Sequence, residues 1–130
     1  MKALLSIKPE YVDRILSGEK KFEFRRRIFK RPDIDTIVIY ATLPVGKVVA
    51  EVGIAGVMES TPEDIWERTH EEGGISEARF MDYFRGRDTA YAIRLGSVRV
   101  FDDPLPLPDY APGVARAPQS FAYISDSDVF

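Results

Sequence analysis

Within the segment GEKKFEFRRRIFKR, Gly18 to Arg31, one carboxylate stands between two cations at alternate positions, Lys21, Glu23 and Arg25. Phe22 and Phe24 fill the places between them, so a strand here has an aromatic face and a charged face. Two chemistries fit a lone Glu so placed. On a solvated face it is a partner in surface ion pairs, which contribute on the order of 0.2–1 kcal/mol. In a cleft it accepts a hydrogen bond from the exocyclic amine of a base edge, as carboxylates do with cytosine N4. Lys21 and Arg25 then neutralise phosphate or keep Glu23 ionised. Duplex pairing hides that edge, so the natural target is a single-stranded or extruded base. Lys20 adds a second titratable group. A Lys20–Glu23 pair serves as acid and base if burial moves their pKa values toward neutrality.

Other candidates are weaker. Thr42 stands near the end of an apolar run and offers a hydroxyl there, whereas Tyr40 on the same face reads as core packing. Trp66 lies on an amphipathic helix and also reads as core. His70 is the sole histidine and cysteine is absent, so no transition-metal site is expected. No Ser-His-Asp set and no phosphate-binding glycine loop is evident, and no cofactor is implied.

The elements that must position these residues follow from periodicity and punctuation. Lys2 to Ile7 reads as a first strand. Pro9 opens a helix with Val12, Ile15 and Leu16 at helical spacing, Glu10 at its positive end and Gly18 as its stop. KKFEFRR is the second strand. TIVIYAT is rich enough in β-branched residues to be a buried central strand. KVVAEVGIAGV continues as a long strand that Gly53 and Gly56 allow to bend. Thr61, Pro62 and Asp64 start a helix that Gly73-Gly74 ends, and Ser76 caps another carrying Phe80, Tyr83 and Phe84. TAYAIRL and SVRVF read as two more strands. The prolines of PLPLPDYAPG point to extended chain rather than helix. PQSFAYI supplies a last short strand, and the end of the chain reads as a frayed tail.

Composition bounds the rest. The 130 residues suit one domain with a real core, at 45% hydrophobic and 30% charged residues. No apolar run is long enough to span a bilayer, and the N-terminus lacks a signal-peptide core, so a cytoplasmic location is expected. The formal net charge of −3 hides an asymmetry. Lys20 to Arg31 holds seven of the 18 cations but only one of the 21 anions, which makes it +6 on a body of −9. Such a patch favours a localised polyanion contact. Its bland counterpart is a solvated basic loop.

Six blocks together carry a family resemblance: SIKPEY, GEKKFEFR, VIYATLPVGKVVAEV, GGISEARFMDYFRG, AYAI and APQSFAYI. In that order, from about Leu4 to Ile124, they resemble an ASCH domain of the PUA-like superfamily. The most telling piece is G-x-K-x-x-E-x-R at Gly18, Lys20, Glu23 and Arg25. The resemblance implies an α+β fold, a PUA-like pseudo-barrel of about five to six mainly antiparallel strands with two to three helices. It implies a single domain over 1–124, with 125–130 as the tail, and a cleft beside the first helix suited to RNA or a modified nucleoside. It also brings in Lys8, from the S-x-K-P block, at the cleft mouth, and Ser120 from the closing block. The expected ligand-binding set is therefore Lys8, Lys20, Lys21, Glu23, Arg25, Arg26, Thr42 and Ser120. RNA and DNA both remain open as partners, and a membrane or metal partner is not expected. Some relatives of this kind hydrolyse N4-acylated cytidine and others are ribonucleases, so a hydrolase using Lys20 and Glu23 is the alternative. This chain has Glu23 where the amidohydrolase pattern has a threonine, which leaves that nucleophile without a match.

Overall fold

The computed structural model describes residues 1–114 and 116–125, so the expected frayed tail, apart from Ser125, lies outside the described residues. Six strands form one sheet: β1 (Lys2–Ile7), β2 (Phe22–Arg25), β3 (Thr36–Ala41), β4 (Lys47–Ser60), β5 (Ala90–Leu105) and β6 (Phe121–Ile124). Their order is β2-β5-β4-β3-β1-β6. β1 and β3 pair in parallel and every other pairing is antiparallel. The helices are α1 (Pro9–Leu16), α2 (Pro62–Thr69), α3 (Glu77–Tyr83) and the one-turn α4 (Leu107–Tyr110).

The sheet is curled, and apolar clusters cover both of its faces. β3 shows why its run of β-branched residues is unbroken. Ile37, Ile39 and Ala41 face a cluster with Val12 and Ile15 of α1, while Val38 faces a second cluster with Leu107, Tyr110 and Ile124. A strand buried on both faces has no use for alternation. A third cluster gathers Phe22, Phe24, Ile65, Phe80 and Phe84 beneath α2 and α3. The register between β4 and β5 slips around Val52, Ile54 and Gly56, and there the long ribbon bends as the glycines foretold.

Helix starts match their signals. Pro9 and Pro62 open α1 and α2, and the Thr61 and Ser76 hydroxyls accept from Asp64 and Arg79 backbone N–H groups. Four expectations need correction. α2 ends at Thr69, and a 3-10 turn over His70–Glu72 carries the chain to Gly73. The two expected strands around Gly96 are one strand, β5, because Gly96 packs close to the Gly53 carbonyl of β4 instead of turning. β2 is only four residues long, so Lys20 and Lys21 precede it. The proline-rich segment holds α4, since Pro106 caps it and Pro108 stands in a first turn where no N–H is needed.

Candidate functional site

β2 presents two different faces, and both are buried. Phe22 and Phe24 enter the aromatic cluster, with Phe24 edge-on to Phe80 at 5.0 Å between ring centres. Glu23 and Arg25 point the other way, yet they are only 6% and 9% exposed. Of the two settings open to the charged face of this strand, solvated surface or cleft, the structure has the second, with a buried ion pair at the cleft floor. Arg25 donates from Nη1 to Glu23 Oε2 at 3.1 Å and from Nη2 to the Ser120 carbonyl oxygen. That second bond spans the gap between β2 and the segment entering β6, the two outer strands of the sheet. Glu23 Oε1 has no partner among the described residues, although the carboxylate lines an open cleft. A buried carboxylate anchored on one side by a guanidinium and bare on the other is ready to accept a hydrogen bond.

Lys20 comes to the same cleft from the turn after α1. Gly18 adopts φ +86° to end the helix, and the Lys20 N–H donates to the Arg14 carbonyl. Its ammonium donates to the Gly73 carbonyl at 2.7 Å and stands 4.5 Å from the centre of the Phe24 ring. Gly74, at φ +61°, packs so tightly that a Cβ there would fall 2.5 Å from Lys20 Cβ. Only glycine fits that position. Burial pushes the Lys20 pKa below its ordinary value; the neighbouring Glu23 charge opposes the shift and Arg14 adds to it.

Around this floor lies a cleft of about 620 Å³. Lys8, Glu10 and Tyr11 from the start of α1 form one wall, and Arg79, Asp82 and Tyr83 from α3 form the other. The Arg26 guanidinium lies 4.7 Å from the centre of the Tyr83 ring. Of the residues singled out in the sequence, Lys8, Lys20, Glu23, Arg25 and Arg26 converge here. Lys21 does not, because its exposed ammonium pairs with Glu72 at 3.1 Å. Thr42 sits beyond β3, its N–H bonded to the Ile7 carbonyl, outside the cleft lining. Ser120 contributes its backbone carbonyl to Arg25, and Gln119 lines the cleft in its place.

Sequence reasoning missed Tyr11, Arg79 and Tyr83. Arg79 and Tyr83 are four apart on one helix face, which is a usable signal once α3 is known to form a wall. Among the described residues, no group of three or more His, Asp or Glu side chains is placed to hold a metal ion. No helix among them is long and apolar enough to cross a membrane.

The family model for the ASCH domain matches residues 5–99. The chain belongs to the ASCH domain family. A curated relative from Zymomonas mobilis, named an ASCH domain-containing ribonuclease, is 37% identical over 93 residues, 72% of this chain. The match spans 63% of that relative's length. The crystal structure of ASCH from the same organism superposes with a TM-score of 0.87 at 30% identity, covering 98% of this chain and 90% of the other. The N-terminal domain of Staphylothermus marinus McrB shares the fold alone, with a TM-score of 0.60 at 13% identity, 98% of this chain and 90% of the other being covered. The ASCH sheet observed here is thus the curled, six-stranded form of the family.

Proposed function

We propose that this ASCH domain binds single-stranded RNA, taking one unpaired or modified base into the cleft beside α1. The observation that carries this reading is Glu23: a buried carboxylate with one bare oxygen, set between Lys20 and Arg25 at the floor of an open cleft. The unpartnered oxygen matches an exocyclic amine, and Tyr11 on the α1 wall offers a ring against which a base stacks. From Arg26 the exposed residues Arg27, Lys30 and Arg31 continue outward as a path for phosphates. Lys8, Lys20, Glu23, Arg25 and Arg26 are the ligand-binding residues in this reading. Lys21, Thr42 and Ser120 lie outside the subsite. A cytoplasmic location, in a reducing compartment that suits a cysteine-free chain, belongs to the same proposal.

Replacing Glu23 by Gln tests it. The amide keeps the shape but loses the charge and offers a donor on one side. It should weaken a cytosine-type ligand by roughly 1–3 kcal/mol, the scale of one base-edge contact. Backbone-driven RNA affinity should stay nearly intact, because the variant removes repulsion toward phosphate rather than attraction. Calorimetry with equal affinity for both proteins would return Glu23 to a purely structural ion pair.

One observation favours a second reading, hydrolysis at the same cleft. Lys20 and Glu23 line the cleft floor together, and burial lowers the Lys20 pKa, which eases the loss of the proton it must give up to act as base toward an attacking hydroxyl. In RNA cleavage the deprotonated 2′ oxygen attacks the adjacent phosphorus, the P–O5′ bond breaks and a solvent water protonates the leaving oxygen, a reaction in line with the relative named a ribonuclease. Lys20→Met should abolish it while RNA is still bound. An N4-acylcytidine substrate assayed alongside separates amidohydrolysis from RNA cleavage.

A further inference from the structure

The two walls of the cleft are clasped together at its mouth. Arg79 of α3 donates through Nη1 to Glu10 Oε1 of α1 at 2.8 Å and to the Tyr11 hydroxyl at 3.3 Å. Its Nε and Nη2 have no partner among the described residues. Both members of the ion pair are solvated, with side chains 61% and 43% exposed, and such a pair is readily exchanged. The other cations of the cleft are differently placed. Lys20 is committed to the Gly73 carbonyl, Arg25 to Glu23 and the Ser120 carbonyl, and Arg26 rests over Tyr83. Lys8 is exposed at the start of α1, a point charge without the planar fork of a guanidinium.

Any nucleotide whose base reaches Glu23 must bring its phosphate past one of the walls. A guanidinium fork takes two phosphate oxygens as it takes two carboxylate oxygens, and a carboxylate resting on Arg79 resembles that group in charge and shape. A phosphate within reach of Arg79 would also stand close to Glu10, and the two anions repel. We propose that Arg79 is a phosphate-binding residue of the cleft and that Glu10 occupies it in the free protein, so that an entering strand displaces Glu10. This rests on the RNA reading of the cleft. Glu10 then sets the threshold for entry. A strand gains the Arg79 contact only by breaking the clasp, and a neutral ligand gains nothing from breaking it.

The test is a double-mutant cycle on binding of a short, mixed-sequence, labelled single-stranded RNA, read by fluorescence anisotropy at low and physiological salt. Arg79→Ala should weaken binding roughly tenfold, the scale of one charge-assisted contact. Glu10→Gln should tighten it roughly threefold in the wild-type background and not at all beside Arg79→Ala. Asp13→Asn, an equal charge change at an exposed position of α1 outside the cleft, measures the general effect of removing an anion. Arg79→Lys, which keeps the charge without the fork, should fall between wild type and Ala, and thermal unfolding confirms that each variant folds. Three results would overturn the proposal: wild-type affinity in Arg79→Ala, a Glu10→Gln gain that persists without Arg79, or a gain no larger than that of Asp13→Asn. Wild-type protein that binds no RNA at all sinks the cleft reading itself, and this proposal with it.

Discussion

Arg25 joins two parts of the molecule with one guanidinium: β2, through the Glu23 carboxylate on the same strand, and the segment before β6, through the Ser120 carbonyl. A buried pair broken from one side leaves an uncompensated charge, so Arg25→Ala should cost about 3–5 kcal/mol in chemical denaturation. The alternation of the strand suggests a far smaller effect, because Arg25 points away from the aromatic face, and the burial of the pair is what raises it. A loss under about 1 kcal/mol, the size of a surface pair, would mean that the face is solvated instead. Lys20 gives a pH signature. Its folded pKa is lowered by burial, so the unfolded chain holds this proton more tightly than the native protein does. The contribution of Lys20 to stability is therefore fully present above the unfolded value of 10.5 and is lost as pH falls through the lowered folded value. Wild type should gain stability relative to Lys20→Met across that alkaline window. Parallel stability-versus-pH curves would show that Lys20 is not desolvated.

Phe24→Ala should cost about 3–5 kcal/mol, because the ring packs against Phe80 and under the Lys20 ammonium in the core beneath α2 and α3. Denaturation that ranks it well below Arg25→Ala would show that β2 is anchored by its polar face rather than its aromatic one. Much at the scale of elements was legible in advance. β1, α1, β3 and the caps of α2 and α3 follow from proline, β-branching and hydroxyl signals that act locally. Burial of both faces of β2 was not legible, because alternation shows which side chains share a face but not what covers it. The second cover comes from the segment before β6, where Ser120 lies 95 residues from Arg25, with α1 and α3 walling the cleft above it. The same limit explains the site. Lys20, Glu23, Arg25 and Arg26 lie in one short stretch and read directly, whereas Tyr11, Arg79 and Tyr83 join them only once α1 and α3 face each other. Lys21 and Thr42 stand outside the cleft lining for a related reason: strand parity placed them, and both lie just outside their strands.

Across the whole molecule, the basic segment divides by burial into two groups. Lys20 and Arg25 are interior groups with fixed partners. Arg26, Arg27, Lys30 and Arg31 are exposed on the chain between β2 and β3, and Arg31 stands 5.6 Å from the centre of the Tyr123 ring on β6. The segment thus runs from the cleft to the opposite edge of the sheet, on a body that carries −9 elsewhere. That acidic remainder repels a polyanion and confines contact to this track. Arg31 fills its fork with Asp33 through both Nε and Nη2, whereas Arg79 engages Glu10 through Nη1 alone, so Arg26, Arg27 and Lys30 are the segment's phosphate ligands in the proposed reading. The most direct measurement is the salt dependence of single-stranded RNA affinity for wild type and for the Arg26→Ala, Arg27→Ala, Lys30→Ala triple variant. Affinity should fall steeply with salt in wild type, and the slope of the variant should be flatter by about 0.7 for each phosphate contact removed. An identical slope in the two proteins would contradict the proposed reading, since the segment could then carry no phosphate.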